Sequence, residues 1–111
     1  MEFYNTGERN IQIVLSLLKA HGIKRIVASP GSTDVAIVSS MQHDSYFEMY
    51  SAIDERSACY MACGMVAETG EPAVIVCTGA TSSRNYFPGL TEAYYRHLPV
   101  FCLLYTSDAA D

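Results

Sequence analysis

Three short segments of the chain carry side chains capable of chemistry: Ser29-Pro30-Gly31-Ser32-Thr33, Asp54-Glu55-Arg56-Ser57 and Thr78-Gly79-Ala80-Thr81-Ser82-Ser83. The first and third are rich in hydroxyls and glycine, so a ligand can approach backbone amides where the chain turns into a helix. The middle segment supplies a carboxylate, Glu55, of the kind that holds or passes a proton. Taken singly, each piece has a plainer reading. Ser32, Thr33 and Asp54 suit helix caps, Glu55 in a first helical turn complements the helix dipole, and Gly31 and Gly79 suit turns. Cys59 and Cys63 share a helix face without a clustered histidine and read as small core residues. His21, His43 and His97 are isolated, and the chain contains no phosphate-binding glycine motif, dinucleotide fingerprint or metal-binding Asp/Asn constellation.

The elements between these segments decide whether they meet. Asn5-Thr6-Gly7-Glu8 resembles a capping box, and Ile11, Val14, Leu15 and Leu18 recur at helical spacing up to a stop at Gly22. Residues 25–28 form a short β-branched strand ended by Pro30-Gly31, and Ser32 or Thr33 caps a second helix to about Gln42. Tyr46 to Ile53 alternates as a second strand, and Asp54 caps a third helix ending at Gly70. Residues 73–77 are an uninterrupted apolar run, the pattern of a strand covered on both faces. A small-residue loop over 78–83 leads to a fourth helix ending near His97, with Pro88 in its first turns, and Pro99-Val100-Phe101 opens a fourth strand. This alternation predicts an α/β fold: an open parallel sheet in the order 2-1-3-4, with helices on both faces and right-handed crossovers. In such a sheet ligands bind at the carboxyl ends of the strands, and all three chemical segments fall on that edge. Their convergence is the physical argument for a site.

The third helix, Ala-Cys-Tyr-Met-Ala-Cys-Gly-Met-Val-Ala over 58–67, is apolar or small nearly all round and must be buried all round. One face packs on the sheet. Ala58, Ala62 and Gly64 admit a close neighbour, expected to be another chain, with a second helix of the same domain as the alternative.

Composition bounds the partners. The 111 residues suffice for one domain, half of them are apolar, and the net charge of −5 with no basic stripe argues against nucleic acid. No apolar run reaches membrane-spanning length and no signal peptide is visible. Cys59, Cys63, Cys77 and Cys102 lack framework spacing, so reduced thiols and a cytoplasmic setting are expected.

Ser29-Pro30-Gly31-Ser32, then Asp54-Glu55-Arg56-Ser57-Ala58, then Cys77-Thr78 leading to Asn85-Tyr86, Pro88 and Glu92-Ala93, resemble the thiamine-diphosphate enzyme superfamily over about residues 10–101. Within it, the chain resembles the branch of succinyl-enolpyruvyl-hydroxycyclohexene-carboxylate synthases. The resemblance implies the N-terminal, pyrimidine-binding domain, with Glu55 as the catalytic carboxylate at the cofactor's aminopyrimidine ring. Pro30, Gly31, Thr78, Gly79 and Asn85 are implied as further cofactor-binding residues. It also implies thiamine diphosphate as cofactor, Mg2+ held by a separate diphosphate-binding domain, and a 2-oxo acid substrate undergoing C–C bond formation or decarboxylation. A homodimer or higher oligomer is implied too, with active sites shared between pyrimidine and diphosphate domains. Two departures fall in substrate-facing loops: Thr33 stands where that branch has arginine, and Thr78-Gly79-Ala80-Thr81 replaces its Thr-Ser-Gly-Thr. A related enzyme acting on another 2-oxo acid fits these changes. The rival reading is a non-catalytic flavodoxin-like ligand-binding or oligomerisation module.

The last ten residues, Cys102 to Asp111, resemble a translated sequencing adapter. The expectation is a domain over residues 1–101, truncated on its C-terminal side, followed by a non-native tail over 102–111. Cys102 to Leu104 is strand-compatible and expected to lengthen the fourth strand, with no packing from Ser107 onward.

Overall fold

The computed structural model describes residues 9–29, 31, 35–78 and 80–105. In chain order these are α1 (Arg9–Ala20), β1 (Arg25–Ala28), α2 (Val35–Gln42), β2 (Glu48–Ser51), α3 (Glu55–Thr69) and β3 (Ala73–Thr78). There follow α4 (Ala80–Ser83), a 3-10 turn (Arg84–Tyr86), α5 (Phe87–Arg96) and β4 (Val100–Tyr105). The four strands pair in the order β2-β1-β3-β4, all parallel, as expected.

Side-chain alternation along β3 divides the core. Val74 and Val76, with Ile26 of β1, meet Ile11 of α1 and Ile37 and Met41 of α2 on one face. Ala73, Ile75 and Cys77, with Val27, meet Ala58, Cys59, Ala62 and Val66 of α3 and Tyr86 on the other. A strand flanked on both faces has no solvent side to be polar on, which is why Ala73 to Cys77 reads as one apolar run and is buried throughout.

Local chemistry sets the ends. Asp54 caps α3: its Oδ2 accepts from the Ser57 N–H (3.1 Å) and from the Ser57 hydroxyl (2.9 Å). Gly70 ends the same helix at φ 74°, where a side chain would be strained. The second strand is shorter than the expected span from Tyr46 to Ile53. Asp44 takes the Tyr46 N–H on its side chain (3.0 Å) and the Phe47 N–H on its carbonyl (3.2 Å), so those amides leave the ladder for a turn. The small-residue loop expected over 78–83 contains the short helix α4. Pro88 has no N–H to give to the carbonyl four residues back, so the chain passes into α5 through the 3-10 turn, with Phe87 N–H bonded to the Arg84 carbonyl.

The neighbour of Ala58 and Ala62 on α3 is a second helix of the same chain, α5, while Tyr60, Met61 and Gly64 leave the helix exposed on another side rather than buried all round. Ala58 and Ala62 are fully buried in that core, and a Cβ added to Gly89 of α5 would lie 2.5 Å from Cys59 Sγ and 2.7 Å from Cys59 Cβ. The Cys63 thiol donates to the Gly89 carbonyl across the same crossing (3.3 Å). Small residues on both helices permit this approach. Of the three positions named, Gly64 alone faces open space.

β4 runs through Tyr105, so the segment after Phe101 does extend the strand. The capping segment at residues 5–8, the Ser32/Thr33 cap and residues 106–111 lie outside the described residues. No described helix is long and apolar enough to cross a membrane.

Candidate cofactor site

The first element of the site is the end of β1. Ser29 is buried, donating its N–H to the Val76 carbonyl (2.8 Å) and its hydroxyl to the Ala52 carbonyl (2.8 Å). Gly31 then passes so close to the end of β3 that a Cβ on it would lie 2.4 Å from Thr78 Cγ2. Glycine is required here for close approach, and the first and third segments touch through the Gly31–Thr78 contact.

The second element is the start of α3. Glu55 is its first residue, half-buried, held in place by the Asp54 cap. Two donors from Ser57 hold the Asp54 carboxyl below its ordinary pKa, the backbone N–H contributing most. The third element is the 3-10 turn, where Asn85 Nδ2 donates to Glu55 Oε1 at 3.4 Å. A carboxylate has about four lone-pair sites, so this one long bond leaves Glu55 with ample capacity to accept from a ligand.

Beside Asn85 lies Tyr86, wholly buried under α3. Its hydroxyl meets no partner of normal hydrogen-bond geometry, although Ser29 and Cys77 adjoin it, and burial above all pushes its pKa up. Burial likewise raises Cys59, to about 12, and Cys63, so both are inert thiols within the core. Among the described residues no group of His, Cys, Asp and Glu is arranged to hold a metal ion.

Of the residues read from sequence, Gly31, Glu55, Thr78 and Asn85 are thus brought to one edge of the sheet, in two touching pairs: Gly31 with Thr78, Glu55 with Asn85. Pro30 and Gly79 lie outside the described residues. Ser29 and Tyr86 also stand at this edge, with no chemical role legible in the sequence. The sequence signal for Ser29 is a hydroxyl directly following the apolar run Ile26 to Ala28, and Tyr86 has none.

The residues fit an aminopyrimidine ligand in chemical type. Glu55 offers a carboxylate with spare acceptor capacity, Asn85 donates to it, and position 31 admits no side chain beside Thr78.

Residues 9–111 match the family model described as thiamine pyrophosphate enzyme, N-terminal TPP binding domain. The chain is 38% identical over 98 residues to the 2-succinyl-5-enolpyruvyl-6-hydroxy-3-cyclohexene-1-carboxylate synthase of Phocaeicola vulgatus, covering 88% of this chain and 18% of that protein. It is 39% identical over 95 residues to the synthase of the same name from Bacteroides thetaiotaomicron, covering 86% of this chain and 17% of that protein. In three dimensions it resembles the thiamine diphosphate-dependent 4-hydroxybenzoylformate decarboxylase of Rhodococcus jostii, with a TM-score of 0.78 and 26% identity. That match covers 86% of this chain and 18% of the decarboxylase. The chain therefore spans less than a fifth of the length of the curated relatives it matches. These matches set aside the non-catalytic flavodoxin-like module, and the chain belongs to the family of N-terminal TPP-binding domains of thiamine pyrophosphate enzymes.

Proposed function

We propose that this chain forms the pyrimidine-recognising half of a thiamine-diphosphate site in an enzyme acting on a 2-oxo acid, by C–C bond formation or decarboxylation. The chemistry supplied by bound thiamine diphosphate is nucleophilic addition from its thiazolium carbon, with the cofactor as electron sink. Glu55 is the catalytic carboxylate, holding a proton between its free oxygen and the aminopyrimidine ring nitrogen. Asn85 orients Glu55 from the 3-10 turn, while Gly31 and Thr78, with Pro30 and Gly79 beside them in sequence, line the cofactor's approach. The observation that carries the reading is the Asn85–Glu55 contact at the carboxyl edge of the sheet, beside the Gly31–Thr78 packing.

Magnesium and the diphosphate are assigned to a different domain, in keeping with the lack, among the described residues, of a group of His, Cys, Asp and Glu arranged to hold a metal ion. Two exposed apolar residues support completion of the site by that domain or by a second subunit. Ile53, two residues before Glu55, is 85% exposed, and Phe87, two residues after Asn85, is 70% exposed. Thr33, in place of the arginine of the synthase branch, favours a 2-oxo acid substrate recognised without that guanidinium.

Titration of the isotopically labelled chain with thiamine, followed by NMR, tests the reading. The expected result is weak binding, with a Kd of roughly 1 mM or above, and shifts centred on Gly31, Glu55, Thr78 and Asn85. Shifts on the opposite, amino-terminal edge of the sheet would overturn it. Micromolar binding of the whole cofactor by this chain alone would overturn the shared site.

A further inference from the structure

Ser29 does more than end β1. Through its N–H it is tied to Val76 of β3 (2.8 Å), and through its hydroxyl to the carbonyl of Ala52 just beyond β2 (2.8 Å), while the Ala52 N–H returns to the Ala28 carbonyl (3.0 Å). One buried residue therefore joins the carboxyl ends of three strands, its backbone N–H reaching β3 and its hydroxyl the end of β2. A parallel ladder is made by backbone groups and needs no such hydroxyl. Its partner Ala52 lies two residues before the Asp54 cap and three before Glu55, so the seat of Ala52 sets where α3 begins. On its other side Ser29 adjoins the wholly buried Tyr86, whose sequence neighbour Asn85 contacts Glu55. Ser29 is thus bonded to the residue that leads by three chain positions to Glu55, and adjoins the residue that follows Asn85, the partner of Glu55. Because Ser29 is 1% exposed, water cannot readily replace its bond to Ala52.

We propose that Ser29 is a positioning residue for Glu55, acting through the Ala52 carbonyl on the start of α3. The inference rests on the role given to Glu55 above. Ser29→Ala deletes the donor and leaves a small void, and Ser29→Cys leaves only a weak thiol donor on a somewhat larger atom, so the pair separates lost donation from a cavity. Hydrogen exchange followed by mass spectrometry on the full-length enzyme should show protection over residues 52–58 falling about tenfold in both variants, with residues 73–78 unchanged. Steady-state kinetics of the same enzyme should show kcat reduced about tenfold at unchanged cofactor affinity, the mark of a group acting only on the reacting geometry.

Unchanged protection over residues 52–58, or an equal loss across 73–78, overturns the proposal. So does a loss of cofactor affinity at constant kcat, which would make Ser29 a binding residue. A Glu55→Gln enzyme as active as wild type would sink the reading of Glu55 itself, while the exchange data would still report whether Ser29 holds the start of α3.

Discussion

Replacing Gly89 by alanine sets two effects of opposite sign against each other at the crossing of α3 and α5. Gly89 is the third residue of α5. In a helix free of neighbours, alanine in place of glycine would stabilise by about 0.8–1 kcal/mol. Here the new Cβ would lie 2.5 Å from Cys59 Sγ, 2.7 Å from Cys59 Cβ and 3.3 Å from the Cys59 backbone carbon. Normal contact needs about 3.5–4.0 Å, so rotating the thiol away is insufficient and the helices must part by roughly an ångström. Overpacking of this kind costs about 1–3 kcal/mol, and contact with backbone places it at the upper end. The expected net is a loss of about 2 kcal/mol, or a fall in Tm of about 8–16 °C for a domain of this size. Adding Cys59→Ala removes the sulfur contact but leaves the one to Cβ, so the double variant should recover about 1 kcal/mol and reveal coupling between the two sites. Urea denaturation of the four proteins in the cycle measures this. A Gly89→Ala protein as stable as wild type, or more stable, would refute the tight crossing and the placement of Asn85 and Tyr86 that depends on it.

Gly31→Ala should weaken cofactor binding by the full-length enzyme about tenfold or more, since the added methyl meets Thr78 Cγ2 at 2.4 Å. Pairing it with Thr78→Ser, which removes that carbon, should restore much of the affinity in a calorimetric titration. The Asp54 carboxyl is held below its ordinary value of 3.8, so its folded form binds a proton less readily than its unfolded form. Its contribution is therefore complete above about pH 4 and is lost as pH falls through the lowered folded value. Amide exchange at Ser57 should accelerate in that acid window, and Asp54→Asn should remove the acid dependence. The native chain should offer a thiol reagent at pH 8 only Cys102, which is exposed, and slowly, because desolvation lifts it to about 11. Cys59, Cys63 and Cys77 are buried, and all four thiols should react once the chain is unfolded.

Much of this architecture is legible because local and global signals agree. The apolar run from Ala73 to Cys77 announces a doubly covered strand, and Asp54, a favoured cap residue, marks the start of α3. Glu55 could be placed at the ligand edge because that start follows a strand in an alternating parallel α/β pattern. What could not be read depends on partners distant in sequence. A helical pattern shows that Ala58 and Ala62 admit a close neighbour, but only the Gly89–Cys59 contact identifies that neighbour as α5. The shortening of β2 at Tyr46 follows from an Asp44 side chain competing for its amide, a local choice that alternation alone does not reveal. Ser29 looks like an ordinary turn residue until its hydroxyl is found on Ala52, 23 positions away.

The central claim is that the charge on Glu55 acts on the cofactor, and exchange of the thiazolium ring proton reads this most directly. The rate is measured by quenched deuterium exchange and NMR on thiamine diphosphate bound to the full-length enzyme, in wild type and Glu55→Gln. Glutamine keeps the size of the side chain and its approach to Asn85, and removes the charge. If Glu55 holds the proton at the pyrimidine nitrogen, exchange should slow by about 10²–10⁴-fold, while cofactor affinity falls by less than about tenfold. Equal exchange rates in the two proteins would contradict the claim and leave Glu55 as a residue that only complements the amino terminus of α3.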